Sequence, residues 1–96
     1  MDTYIELGCP DFFEVEPDFK WYKPDVYCRV GVKLMCIEIQ KSKITNEKMQ
    51  RKILDFVRSY QKEEHDATTL WIKTPFRWTN LKAPPEIEVI ISPTWE

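Results

Sequence analysis

Ninety-six residues suffice for one domain with a modest core, and a hydrophobic share of 43% with 14% aromatics rules out a disordered tail. A formal charge of −2 excludes a uniformly basic nucleic-acid binder. No apolar run approaches the roughly 20 residues of a membrane span, and MDTYIELG lacks a basic region followed by an apolar stretch, so a cytoplasmic chain is expected.

Taken in order, YIEL (4–7) is too short to assign and FFEVE (12–16) carries a weak strand signal. PDVYCRV and VKLMCIEIQ, on either side of Gly31, read as two strands of a hairpin. From Thr45 the apolar period changes: Met49, Ile53, Phe56, Val57 and Tyr60 follow helical spacing. Thr45 is a suitable N-cap and Glu47 complements the positive end of the dipole, which predicts a helix over about 46–62. TTLWIKT (68–74) and EIEVIIS (86–92) follow as strands, stopped by Pro75 and Pro93. The order predicts an α+β fold, an antiparallel-rich mixed sheet with one main helix packed on it. The chain reads as one domain over 1–96, with a core at about 20–74.

Cys28 and Cys36 alternate to opposite faces of the hairpin, which argues against a bridge between them; with Cys9 they read as reduced, mostly buried thiols. His65, the single histidine, lies in the polar run QKEEHD and reads as a loop residue. Zinc sites and Ser–His or Cys–His catalysis therefore have almost no material.

The hairpin carries the chemistry. A two-residue turn at Gly31 and Val32 makes opposed positions sum to 63, so that Asp25 faces Glu38 and Lys23 faces Gln40. Val26, Cys28, Val30, Met35, Ile37 and Ile39 then share the other face, the expected core surface for the helix. Like charges directly opposed across strands are destabilising, so a proton, a lysine or a divalent cation should accompany the pair. Magnesium accepts one or two carboxylates and fills its shell with water and phosphate oxygens, and the Ile39 carbonyl could add a third protein ligand. The plainer interpretation is a solvated polar face neutralised by Lys23. Likewise the basic residues between positions 41 and 62 read first as a solvated helix face.

PD at 24–25, an intervening hairpin and EIQ at 38–40 resemble the PD-(D/E)xK nuclease superfamily, with glutamine where lysine usually stands. The longer string IEIQKSKIT, followed by a helix carrying Arg51, Lys52 and Tyr60, is similar to the branch of competence protein CoiA and the replication-relaxation proteins of mobile elements. The resemblance implies a minimal restriction-endonuclease-like core of helix, three antiparallel strands, helix and strand. It implies that Asp25 and Glu38 bind Mg²⁺ (or Mn²⁺), that Gln40 replaces the catalytic lysine, and that Lys52 and Tyr60 approach the site or the DNA backbone. Lys41 and Lys43, beside the motif, are expected on phosphate. Two features depart from the pattern: no helix is evident ahead of the first strand, and no winged-helix region precedes the core. The expected activity is Mg²⁺-dependent hydrolysis of DNA phosphodiesters by a phage, plasmid or conjugative-element protein. The alternatives are a catalytically degenerate module that binds DNA or a protein, and a small interaction or inhibitor protein. PFRW, APP and PTWE, read as exposed aromatic segments, suit a homodimer contact.

Overall fold

A computed structural model describes residues 12–20 and 22–93. YIEL, Cys9, Trp95 and most of PTWE lie outside the described residues. Five strands and one helix follow in the order β1 (Phe12–Val15), β2 (Val26–Val30), β3 (Lys33–Ile39), α1 (Asn46–Gln61), β4 (Thr69–Lys73) and β5 (Glu88–Ser92). The strands form one sheet in sequence order. The first three are antiparallel, whereas β4 lies parallel to β3 and β5 parallel to β4. The α+β expectation is therefore met, with a mixed sheet and one helix on it.

Each element has a local cause. Gly31 adopts φ +65° while Val32 keeps a negative φ, as a type II′ turn requires, and the strands it joins hold the register Val26↔Ile37, Tyr27↔Cys36 and Val30↔Lys33. Opposed positions sum to 63, as the hairpin arithmetic expects. The Thr45 hydroxyl accepts the Lys48 N–H at 3.2 Å and opens α1, with Glu47 in the first turn and Arg58 in the last. At the other end Glu63 takes φ +62°, its N–H donates to the Tyr60 carbonyl, and the Glu64 N–H reaches back to Ser59. This Schellman closure is built without glycine, so a side chain bears the left-handed strain.

A parallel β3–β4 pair needs a crossover, and α1 supplies it. The residues between β4 and β5 run back along the start of the helix instead. Gln50 exchanges two hydrogen bonds of 2.7 Å with the main chain of Lys82, Asn46 donates to the Thr79 carbonyl, and the Trp78 indole donates to Ile44 at 2.6 Å.

One expectation is corrected here. The helix covers the face of Cys36, Leu70 and Ile72, where Met49, Ile53, Phe56 and Val57 pack against them. Val26, Cys28, Met35 and Ile37 lie on the opposite face, buried together with Trp71, while Ile39 is largely exposed. Both hairpin faces are apolar along much of their length, as in a sheet buried on both sides, so hydrophobicity alone did not say which one receives the helix. As a consequence, α1 lies over the side that bears Glu38. Trp78 is also inside the main core rather than on the surface, with Phe76 partly buried against it.

Candidate active site

Asp25 precedes β2 and Glu38 is the penultimate residue of β3. The Asp25 N–H donates to the Ile37 carbonyl at 3.1 Å, extending the ladder by one step, and its Oδ2 accepts the Ile39 N–H at 2.7 Å. One oxygen of Asp25 is thus tied to the end of β3 by the main chain. Continuing the register places Glu38 opposite it, on the face that α1 covers.

Glu38 is only 9% exposed. Burial is the main cause that raises its carboxyl pKa, and the charges of Asp25 and Asp55 push the same way. The Lys52 ammonium and the Tyr22 hydroxyl oppose that rise. Lys52 reaches over from α1 to 3.9 Å from Glu38 Oε2. Tyr22, 6% exposed, has a buried hydroxyl without a hydrogen bond of ordinary geometry, and burial followed by Glu38 drives its pKa well up. Lys20, Tyr22, Lys23, Glu38, Lys52 and Asp55 line an open cleft of about 320 Å³. A second depression of about 260 Å³, lined by residues that include Lys23 and Asp25, adjoins it.

The remaining expected site residues lie elsewhere. Gln40 passes its main-chain N–H to Lys73, and its Nε2 donates to the Ser42 carbonyl at 2.7 Å, so the side chain is engaged with the 41–43 bend. Lys43 donates to the Arg77 carbonyl at 2.6 Å and stands over the Trp78 ring. Lys41 is exposed. Tyr60, two turns further along α1 than Lys52, packs into the core beside the His65 ring. Lys23 pairs with exposed Asp18 at 3.7 Å, which leaves Lys52 as the cation on Glu38.

His65 lies in the loop after α1, as expected, but it is buried rather than exposed. It is 4% exposed, stacked on Phe56 at 5.0 Å and surrounded by Phe19, Tyr27 and Tyr60. Its Nδ1 accepts the Ala67 N–H, and burial lowers its pKa although Glu64 and Asp66 pull it up. Cys28 and Cys36 are free and buried on opposite faces, as expected, and burial pushes Cys28 up to about 11 and Cys36 higher still. No helix of the described residues is long and apolar enough to cross a membrane.

The donor set suits a hard cation only in a minimal way. Two mutually repelling carboxylates satisfy the protein share of a magnesium shell, and among the described residues no group of three or more His, Cys, Asp or Glu is placed to hold a metal.

Comparison with known families gives a match to the competence protein CoiA nuclease-like domain over residues 17–84. That span includes β2, β3, α1 and β4, and with them the whole cleft. Neither the curated proteins nor the solved structures compared with the chain give a match. The chain belongs to the CoiA nuclease-like domain family.

Proposed function

We propose that this nuclease-like domain hydrolyses DNA phosphodiesters with Mg²⁺ or Mn²⁺ held by Asp25 and Glu38. The observation that carries this reading is the convergence of the two acids across the hairpin, one anchored by the Ile39 N–H and the other buried under α1. A divalent cation there would lower the pKa of a bound water and offset charge on the phosphate. The protein's own groups divide the remaining work. Asp25 is oriented by the main chain, so its second oxygen is available to a ligand. Lys52 supplies, from the helix, the ammonium that the EIQ sequence lacks at position 40, and it both favours ionised Glu38 and faces the cleft. Gln40, held by Ser42, is assigned no proton transfer; an amide is not a general base. Lys20 and Lys23 line the cleft and would meet phosphate oxygens, the role first expected of Lys41 and Lys43.

Plasmid nicking with Mg²⁺ or Mn²⁺ tests the assignment. Asp25→Asn and Glu38→Gln are each expected to lower the rate by at least about a hundredfold, as fits the several kcal/mol that a catalytic metal contributes. Equal nicking by wild type and Glu38→Gln removes the site. A second reading, a relative that binds DNA without cleaving it, is favoured by the absence of a third acidic ligand among the described residues. It predicts no nicking by wild type, with DNA affinity that falls steeply with salt.

A further inference from the structure

Beside the cleft, α1 borders a second and larger concavity, an open groove of about 970 Å³ between the helix and the 80–82 segment. Arg51, Leu54, Asp55 and Arg58 line it from the helix, Leu81 and Lys82 from the other side. That second wall is held in place by the helix itself. Gln50 makes two 2.7 Å hydrogen bonds to the Lys82 main chain, and Asn46 holds the Thr79 carbonyl. Between them Asn80 takes the left-handed φ of +59°, which asparagine tolerates better than most residues.

Arg51 and Arg58 lie two turns apart on one side of the helix with Leu54 between them, and all three are exposed. Among the described residues neither guanidinium makes an ion pair, although Asp55 follows one by four positions and precedes the other by three. Their N–H donors are therefore open to an external anion. Groove and cleft meet at Asp55, which lines both. Glu47 also lines the groove, so attraction is local to the three cations rather than spread over the surface. An occupant that suits this wall is anionic at intervals, apolar between, and continuous with whatever fills the cleft. A nucleic-acid strand has that pattern, phosphates separated by sugar and base faces. From Arg51 to Arg58 the helix rises about 10 Å, about three nucleotide steps of a duplex strand.

We propose that one strand of the DNA substrate continues out of the cleft past Asp55 and lies along this groove. Its phosphates rest on Arg51, Arg58 and Lys82, and its sugars on Leu54 and Leu81. The inference extends the nuclease reading and rests on it only for what fills the cleft. Asp55 is an anion that the strand must pass, so the two kinds of charge on this helix face have opposite effects on binding.

Binding of the full chain to a labelled single-stranded oligonucleotide, without divalent cation so that nothing is cleaved, reads the groove directly. Arg51→Gln combined with Arg58→Gln should weaken binding at least about tenfold. The slope of log affinity against log salt should become shallower by about 1.4, the share of two phosphates. Asp55→Asn should tighten binding. Wild-type affinity should rise as the oligonucleotide is lengthened beyond the cleft, and the double variant should lose that gain. Lys48→Gln combined with Arg77→Gln removes the same charge at exposed positions that line neither cavity, and should leave affinity and slope near wild type. Equal losses in the two double variants, an unmoved slope in the first, or a wild type that fails to bind DNA at low salt overturns the proposal. Tighter binding of an acidic peptide of equal charge also overturns it, because the groove then serves a protein. A wild type that shows these binding effects without nicking DNA defeats the nuclease reading alone.

Discussion

The two faces of the sheet bury their residues on different terms. On the side away from α1, Val26, Cys28, Met35, Ile37 and Trp71 make an apolar cluster, and the buried polar residue on the same face of β4, Thr69, has its hydroxyl bonded to Glu88. On the helix side the core also contains a carboxylate, a phenol and an imidazole, Glu38, Tyr22 and His65, and the last two carry buried polar atoms without well-formed hydrogen bonds. Such groups cost stability wherever they are buried, so their concentration on one side marks where packing has been compromised for chemistry. The far face is packing alone; the helix face holds the groups of the proposed site.

The comparison breaks most clearly at Trp71. It is fully buried on the apolar side, and its indole donates to the Ser92 carbonyl at 3.2 Å. Trp71→Ala should cost about 3–5 kcal/mol in urea unfolding, with nicking per folded molecule little changed. An equal loss of nicking in the folded fraction would show that the two faces are not separable.

Glu38→Gln should behave in the opposite way, losing activity while stability at neutral pH holds or rises by about 1 kcal/mol. The sign follows from the raised carboxyl pKa. Folded Glu38 keeps its proton to higher pH than the unfolded chain does, so its contribution is complete below about pH 4.5 and is lost as pH rises through the folded value. The glutamine variant lacks that decline. Its advantage over wild type should therefore widen from pH 4.5 upward, as denaturant titrations across pH would report.

His65 gives the smallest and oppositely signed effect. Its pKa is lowered, so folded His65 stays neutral where the unfolded chain binds a proton. Wild-type stability should fall as pH drops below about 6.5 and through the folded value. His65→Asn retains an acceptor for the Ala67 N–H but removes the ring, so it should lose stability at pH 7 and show a flatter acid limb. An unchanged acid limb would mean that the aromatic surroundings already accommodate the imidazolium.

The hairpin was fully legible in the sequence because it is local: a glycine, a two-residue turn and strict alternation fix which positions oppose. The helix was legible for the same reason, through its cap and its 3.6-residue period. What could not be read is which face the helix would choose, since Cys36 and Leu34 on one side differ little in apolarity from Met35 and Ile37 on the other. Lys52 was recognised from the family resemblance, but its pairing with Glu38 depends on that choice. The burial of His65 escaped because its four ring neighbours come from three separate stretches of chain, while its sequence neighbours are charged. Tyr22 escaped similarly. Its only signal is a position three residues ahead of Asp25, and the carboxylate it approaches is sixteen residues away.

The Gly31–Val32 bend sets the spacing of two acids that lie six or seven residues from it, a reach of about 20 Å along extended chain. It works like the pivot of a pair of tongs. One residue added there would slide one arm past the other, turn Asp25 to the apolar side and separate the jaws, although every side chain in the cleft would keep its identity.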